Sequence, residues 1–201
     1  MTKTSALIYF SFLAVLLPLV GQGQLLSVEE LEVLEPCTSM EVALANPEAV
    51  IKLELKKQKL KRLPADIEKL VNLQSLNLAK NKIDSLDARI GSFGHLQVLV
   101  LSKNQLMVLP DEIGQLSNLK RLQVGENLLI ELNPEIGKLT QLEYLDVWSN
   151  DLAEMPREFE DLTNLKEADF RVNAIKQEDQ EIIQDYVPKA KMHFSYDCKC
   201  Y

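Results

Sequence analysis

Few residues in this 201-residue chain are suited to chemistry: there are two histidines and three cysteines. His193 lies near Cys198 and Cys200, but structural zinc needs four ligands at wider spacing than this tail offers. His95 lies far from all three in the sequence. Glycine-rich phosphate loops, nucleophile elbows and HExxH helices do not occur. The sequence therefore predicts no catalytic residues, no metal site, no cofactor and no enzymatic activity.

The three cysteines predict at least one thiol that is free or bonded to another chain, because an odd number cannot pair internally. Cys37 and the two C-terminal cysteines lie at opposite ends of the repeats described below. At the spacing of β-strands this separation is roughly 25 to 30 Å, which is beyond the reach of a disulfide. A bond between Cys198 and Cys200 would close a small strained ring. A disulfide-linked dimer through Cys198 or Cys200 is the alternative.

Residues 1–23 have the layout of a secretory signal peptide: one lysine, an apolar run and small residues before the predicted cleavage site. The apolar run, of about 15 residues, is shorter than the roughly 20 that a membrane helix needs. An uncleaved N-terminal anchor is the alternative. We therefore expect a secreted, periplasmic or cell-surface protein with no integral membrane span once the signal is removed. The net charge of −8 argues against nucleic acid as a partner, since phosphate binding needs a basic face.

From Val50 onward the sequence repeats with a period of 23 residues and without insertion. The stretch LQSLNLAKNKIDSLDARIGSFGH, from Leu73, aligns with LQVLVLSKNQLMVLPDEIGQLSN, from Leu96. We number the places of each repeat 1 to 23; apolar residues fill places 1, 4, 6, 11, 14, 18 and 21. Places 4 and 6 alternate as in a short strand. The six repeats start at residues 50, 73, 96, 119, 142 and 165, and the last one is modified.

Asparagine occupies place 9 in five of the six repeats, where the chain leaves the predicted strand. Its amide can donate to and accept from backbone groups of adjacent turns that no sheet ladder satisfies. In the first repeat Gln58 stands at this place. The predicted structural ladder consists of Asn81, Asn104, Asn127, Asn150 and Asn173.

The pattern LxxLxLxxNxLxxLPxxIxxLxx strongly resembles the leucine-rich repeat family. The resemblance is to the 23-residue type found in Ras-suppressor-like and many bacterial secreted proteins, and it covers about residues 50 to 194. It implies an α/β fold, namely a right-handed solenoid (horseshoe) with a concave parallel β-sheet and a convex side of loops and short helical turns. The six repeats would then span residues 50–187. The family's usual role is interaction with other proteins.

A solenoid exposes its core unless its terminal units cover it, so residues 24–49 are predicted to include an N-terminal helical cap. The stretch TSMEVALANP predicts a helix with a capping box between Thr38 and Glu41. The residues available to cover the first repeat are Met40, Val42, Ala43 and Leu44.

The C-terminal cap is predicted to be a helix followed by a strand. The stretch QEDQEIIQDYV predicts an amphipathic helix with Ile182, Ile183 and Tyr186 facing inward. The closing strand and cysteine-containing tail occupy residues 188–201. We expect Val187, Ala190 and Met192 to take places 1, 4 and 6, with Phe194 continuing the alternation.

Places 3, 5 and 7 point away from the core, from the sheet face that this family leaves open to solvent. Trp148 is the only tryptophan, and it shares a predicted strand with Tyr144. Tryptophan, tyrosine and arginine are enriched at interface hot spots, and an arginine can stack on an indole ring. The predicted partner-binding residues are Trp148, Tyr144, Arg121, Arg171, Asp146, Gln123, Val98 and Val100.

Three further expectations concern this face. Gly125 is expected to leave room beside Trp148 for the indole or a ligand. Asp146 and Asp169 fall close together, but an open face should desolvate them too little to raise a carboxyl pKa usefully. The aromatic cluster could instead pack on itself or be covered by the C-terminal tail.

The sequence thus predicts a secreted, bacterial, non-enzymatic module that binds a protein through its concave face. One alternative is a carbohydrate-binding surface, because Trp148 and Tyr144 could stack on sugar rings. Another is a structural surface protein that self-associates through its cysteines. The fold alone does not name the partner, because this fold serves many unrelated ones.

Overall fold

The computed structural model describes residues 24–195. The predicted signal peptide and the predicted disulfide at Cys198 or Cys200 lie outside the described residues. Within residues 24–195, no helix is both long enough and apolar enough to cross a membrane.

In the described part of the chain, seven three-residue strands form one parallel sheet in chain order. They are β1 (Lys52–Glu54), β2 (Ser75–Asn77), β3 (Val98–Val100), β4 (Arg121–Gln123), β5 (Tyr144–Asp146), β6 (Glu167–Asp169) and β7 (Lys191–His193). From β1 to β6 every residue pairs with the one 23 positions later, as Lys52 does with Ser75. Each strand therefore consists of places 3 to 5 of its repeat, and equivalent side chains form rows across the sheet.

The core lies on one side of this sheet. The place-4 leucines from Leu53 to Leu145 are fully buried, so places 3 and 5 must point to the opposite, outer face of the sheet. The returning side of the solenoid is closed mainly by 3-10 helices. Their bounds are Pro47–Ala49, Ile67–Lys69, Ala88–Ser92, Asp111–Gln115, Pro134–Lys138 and Arg157–Asp161. The α-helices are α1 (Val28–Val33), α2 (Met40–Ala45) and α3 (Gln177–Tyr186).

The chain turns sharply where it leaves each strand. The residue at place 8 has a positive φ, between 53° and 62°, in all six repeats. The asparagine that follows holds this turn: Nδ2 of Asn104 donates to the carbonyls of Leu101 (2.7 Å) and Leu78 (3.1 Å). Its Oδ1 accepts from the backbone N–H of Ile83 at 3.0 Å. One amide thus satisfies backbone groups of two adjacent repeats.

The N-terminal cap differs from its prediction. Helix α2 begins after Ser39, and no side-chain cap bond forms there, so the predicted Thr38–Glu41 capping box is wrong. A capping box occurs instead between Ser27 and Glu30, at the start of α1. Ala43 is fully buried, whereas Val42 is exposed and does not cover the first repeat.

At the C-terminus, Ile183 is buried and Tyr186 packs on the core, but Ile182 is exposed and does not face inward. In the regular repeats the residue at place 18 lies in a 3-10 helix and faces the core. In the last repeat this segment is the α-helix α3, and the residue that faces the core is one position later, Ile183 instead of Ile182. Strand β7 also pairs one residue later, 24 positions after β6, with Met192 opposite Ala168. Met192 rather than Ala190 therefore takes place 4.

Candidate binding face

The outer sheet face is not open along its whole length, because residues 24–34 lie across its first strands. We call this segment the N-terminal strap. Lys52, at place 3 of β1, donates through Nζ to the carbonyls of Leu31 (2.8 Å), Glu32 (3.1 Å) and Leu34 (2.9 Å). The strap residues Leu26, Val28 and Leu31 are at most 7% exposed, and they lie outside the main core. The strap therefore buries a small apolar cluster of its own.

Two buried glutamines at place 2 hold the start of the strap. The N–H of Leu26 donates to Oε1 of Gln74 at 2.8 Å, and Nε2 of Gln74 donates to the carbonyl of Gln24 at 2.8 Å. Nε2 of Gln97 donates to the carbonyl of Leu26 at 2.7 Å. The backbone of the strap is thus bonded by side chains of repeats 2 and 3. The expectation that the sheet face of these repeats is fully solvent-exposed is wrong.

The strap also engages Arg121, whose guanidinium forms an ion pair with Glu32. Hydrogen bonds, led by one from its own backbone, lower the pKa of the Glu29 carboxyl, and the positive charge of Arg121 adds to this. Arg121 is therefore directed toward the strap. Within residues 24–195, neither Arg121 nor Arg171 stacks on Trp148, since the aromatic contacts there involve phenylalanines.

The second half of the outer face, from β5 onward, extends past these strap contacts. Tyr144 and Asp146 occupy places 3 and 5 of β5, and Trp148 follows at place 7. All three side chains are partly buried, so Trp148 is less exposed than an isolated surface residue. The backbone N–H of Trp148 donates to Oδ1 of Asp146 at 3.0 Å, which fixes the turn after the strand. Burial raises the pKa of Tyr144, and nearby carboxylates, led by Asp146, raise it further.

Asp146 and Asp169 lie opposite each other in the sheet register, but their carboxyls are in different electrostatic states. Burial raises the pKa of Asp146, and the negative charge of Asp169 raises it further. Burial acts in the same direction on Asp169, but hydrogen bonds from Arg171, at 2.6 to 3.2 Å, outweigh it and lower that pKa. The expectation that the open face desolvates these carboxyls too little to raise a pKa is therefore wrong for Asp146, whereas the pKa of Asp169 is not raised.

Gly125 has a different role from the one predicted. A Cβ atom there would lie 2.9 Å from Oδ1 of Asp146 and 3.1 Å from the carbonyl of Trp148. The space beside Trp148 is therefore already filled by the carboxylate of Asp146 and by backbone. Glycine at this place leaves room for the carboxylate of Asp146, whose two oxygens would lie 2.9 and 3.2 Å from a Cβ atom.

An open depression of about 360 Å³ lies beside Tyr144 on this face. It is lined by Arg121, Gln123, Glu143, Tyr144, Lys166 and Glu167. Lys166 pairs with Glu143 at 2.6 Å, and Glu167 accepts a contact from Nε2 of His193 at 2.7 Å. Apart from Tyr144, the lining of the depression thus consists of polar and charged residues.

The eight predicted partner-binding residues fall into three groups in the structure. Tyr144, Trp148 and Asp146 lie together around β5, with Gln123 beside them on β4. The guanidinium groups of Arg121 and Arg171 are paired with Glu32 and Asp169. Val98 and Val100 lie on β3, in one of the two repeats whose glutamines bond the strap, and are partly buried.

The strap is the main feature that was not predicted. Its signal is present in LSVEELEVL, where Ser27 and Glu30 have the spacing of a capping box and precede Leu31. A second signal is glutamine at place 2 of repeats 2 and 3, where repeats 4 to 6 carry Lys120, Glu143 and Lys166.

A family model described as "leucine-rich repeat region" matches residues 27–189. A leucine-rich repeat protein of Leptospira interrogans has a similar structure, at 33% identity and a TM-score of 0.68. The match covers 80% of this chain and 47% of that one, so this chain spans about half the length of that relative. A search of curated proteins finds no match.

Two further structures are similar. One is the leucine-rich repeat ectodomain of a membrane receptor kinase from Arabidopsis thaliana, solved with Casparian strip integrity factor 2; it has 31% identity and a TM-score of 0.58 over 66% of this chain and 16% of that one. The other is an internalin of Listeria monocytogenes, at 22% identity and a TM-score of 0.56, over 66% of this chain and 37% of that one. With six strands at a constant register and a family match over most of its length, the chain belongs to the leucine-rich repeat family.

Proposed function

We propose that this protein is a non-enzymatic, secreted or cell-surface module that binds a protein partner through the second half of its outer sheet face. The observation that carries the proposal is the grouping of Tyr144, Asp146 and Trp148 on one strand, beyond the strap contacts. Proteins of this family generally act as interaction scaffolds, and one similar structure is a receptor ectodomain described as a complex with another factor. A rigid parallel sheet presents such a group without a large ordering cost on binding.

Aromatic rings beside a polar depression suit a protein partner better than a small ligand. Tyrosine and tryptophan contribute large contact areas at low entropic cost, and charged neighbours set the orientation of the partner. In this proposal Trp148 and Tyr144 are the anchors. Asp146 and Gln123 make the polar contacts around them. Arg121 contributes only where the partner replaces Glu32 as its acidic neighbour.

The experiment compares capture of proteins from the extracellular medium and envelope of the source cells by wild type, Trp148→Ala and Val71→Ala. Val71 is 55% exposed and lies on another surface, so it is a matched control for loss of an exposed apolar side chain. We expect Trp148→Ala to weaken capture of a specific partner by about tenfold or more, while Val71→Ala leaves capture unchanged. A partner that binds all three proteins equally would show that the site lies elsewhere.

The fluorescence of Trp148, the only tryptophan, gives an independent measurement. Acrylamide should quench the free protein readily and quench the complex less, because the partner covers the ring. If glycans shift the emission and no protein is captured, the carbohydrate alternative replaces this proposal. For the secreted location, the mass of the protein recovered from the medium should correspond to an N-terminus at Gln24.

A further inference from the structure

A basic surface lies at one edge of the sheet, on the segments that leave the first two strands. Places 8 to 13 of repeats 1 and 2 carry a net charge of +5, in a chain whose net charge is −8. All the bases at these places are exposed, and one exposed acid, Asp84, lies among them. We call the bases the basic edge: Lys57, Lys59, Lys61, Arg62, Lys80 and Lys82.

The bases of the two repeats lie beside one another. The N–H of Lys57 donates to the carbonyl of Ala79 at 3.2 Å, and the N–H of Lys82 donates to the carbonyl of Leu60 at 2.8 Å. The register of the strands therefore continues into these segments, so lysines at places 8 and 10 of one repeat adjoin those of the other. Like charges on adjacent segments repel each other, which lowers the stability of the free protein. Lys59 also has a positive φ of 59°, a backbone conformation that is unfavourable for a residue with a Cβ atom.

The positive charge of the basic edge is not neutralised by the described part of the chain. None of its bases takes part in the ion pairs of residues 24–195. Asp84 accepts instead from the hydroxyl of Ser85 at 3.0 Å. In the next repeat, by contrast, Lys103 pairs with Glu126 at 2.7 Å. The basic edge is therefore free to bind an anionic partner.

We infer that the basic edge binds a sulfated polysaccharide, a linear polyanion whose sulfate groups contact these bases. The surface is long and narrow: six residues of chain span at most about 20 Å, whereas the two repeats lie only about 4.8 Å apart. This shape fits one polymer chain lying along the two segments. Contacts with sulfate groups would also remove the repulsion between the neighbouring lysines.

The rest of the same edge argues against a flat anionic membrane as the partner. Places 8 to 13 of repeats 4 and 5 carry acids and no base, and repeat 4 begins roughly 15 Å from repeat 1 at the strand spacing. These acids are Glu126, Glu131, Asp151 and Glu154. A membrane lying on the edge would meet them, whereas a polymer chain along repeats 1 and 2 would not.

An acidic protein is also a poorer fit to the basic edge. Protein interfaces are enriched in aromatic residues and methionine at their centre, where charged residues are depleted. The large apolar residues that are exposed in the described chain include none at places 8 to 13 of repeats 1 and 2. A polysaccharide held by its sulfate groups needs no such apolar centre.

Binding of this kind should be moderate and strongly dependent on salt. At about 0.15 M salt we expect a Kd of roughly 1 to 100 µM for a heparin oligosaccharide, as for other sequence-independent contacts with polyanions. If each of the bases displaces one counterion, the slope of log Kd against log salt concentration should be about 4 to 5. The basic edge is separate from Trp148, so the inference does not depend on the proposed function.

The test is the fluorescence anisotropy of a labelled heparin oligosaccharide titrated with the purified protein at several salt concentrations. The double variant Lys61→Glu/Lys82→Glu should raise the Kd at least about tenfold and reduce the slope. Lys61→Arg/Lys82→Arg keeps the charges and should bind within about twofold of wild type. The matched control is Lys138→Glu/Lys189→Glu, which changes the total charge equally at exposed places outside the basic edge and should also stay within about twofold.

Trp148→Ala should bind heparin like wild type, because this binding does not use the aromatic residues of the outer sheet face. Equal losses in the two charge-reversed proteins would overturn the inference, since total charge would then govern the binding. Tighter binding to vesicles of equal parts phosphatidylcholine and phosphatidylglycerol, or to duplex DNA, would overturn it in favour of those partners. Neutral dextran that competes as well as heparin would also overturn it, and circular dichroism verifies that each variant retains the fold.

Discussion

Asp146 stands out among single residues because its environment makes its ionised form unfavourable, as is common for residues kept for binding. The carboxyl is desolvated, accepts one backbone hydrogen bond from Trp148 and faces Asp169, whose charge Arg171 compensates. A group of this kind lowers the stability of the free protein and gains interactions when a partner supplies a donor or a cation.

The first prediction follows from the raised pKa of Asp146. A carboxyl whose folded pKa is raised costs stability once it ionises, and the cost is absent at pH values below its unfolded pKa. Asp146→Asn retains an oxygen that can accept from Trp148 and removes the charge. We expect its Tm to exceed that of wild type by roughly 1–3 °C at pH 7, with the difference vanishing as pH falls below about 3.9.

Asp169 lies in the same row of the sheet, and for Asp169→Asn we expect a change in Tm of the opposite sign. The pKa of Asp169 is lowered, so its stabilisation is present above the unfolded pKa and is lost as pH falls through the folded pKa. This variant should therefore melt below wild type at pH 7. Thermal melts followed by circular dichroism at several pH values measure both variants. If both variants changed the Tm at pH 7 in the same direction and by the same amount, the different electrostatic states assigned to Asp146 and Asp169 would be wrong.

At the scale of elements, the repeating strands and turns were predictable because every repeat packs against its neighbours in the same way and needs the same residue types at the same places. Leucine at place 4 and asparagine at place 9 recur at one period, and that recurrence carries the information. The strap occurs only once in this structure. It depends on contacts of Lys52, Gln74 and Gln97 with residues about 20 to 70 positions away, and a repeating sequence pattern does not predict such contacts. Its capping box at Ser27 is a local signal that indicates a helix but not where the helix docks.

The ends were less predictable for a related reason. The helix at Gln177–Tyr186 keeps the apolar residues of a regular repeat but uses an α-helical turn, which changes the residue that faces the core. Sequence pattern indicated an amphipathic helix here, and only the geometry of α3 selects Ile183 over Ile182. Likewise the site residues on β5 follow from periodicity, whereas the engagement of Arg121 by Glu32 depends on the strap.

The close packing of successive 3-10 helices gives the second prediction. A Cβ at Gly137 would lie 2.8 Å from Cβ of Glu158 and closer still to the carbonyl oxygen of that residue in the next repeat. Gly137→Ala should therefore destabilise the fold by about 2 kcal/mol or more, because backbone must move. A Cβ atom at Gly94 would have no neighbouring atom within 4 Å, so Gly94→Ala should change the free energy of unfolding by less than about 0.5 kcal/mol. Urea unfolding compares the two, and a tolerated Gly137→Ala would mean that the repeats are packed less tightly.

At the scale of the whole molecule, stability is a sum of repeats and of the interfaces between neighbours. The asparagine ladder contributes to those interfaces, since each amide bonds backbone groups of two repeats. Each amide bonds its own repeat and the preceding one, and the difference between positions is burial: Asn127 in the interior is buried, whereas Asn173 near the end is only partly buried.

The third prediction compares these positions. Asn127 is 7% exposed and bonds the carbonyls of Val124 (2.8 Å) and Leu101 (3.1 Å) and the N–H of Leu106 (3.1 Å). Asn127→Ala leaves these groups buried and unpaired, and should cost about 2–4 kcal/mol. Asn173→Ala removes similar bonds at a more exposed position and should cost about half as much. Urea melts followed by circular dichroism give both values; equal costs would argue that position in the array does not matter.

The constant register from β1 to β6 has a consequence for inheritance. Deletion of any 23 consecutive residues within the regular repeats joins one place of a repeat to the next place in order. The pattern of buried and exposed places therefore continues unchanged across the junction. Loss of one residue instead shifts every later apolar place out of phase within its repeat. A gene for this protein can therefore gain or lose whole 69-base units by recombination more safely than single codons. A change in the number of repeats is therefore a simpler route to a longer outer sheet face than the insertion of single residues.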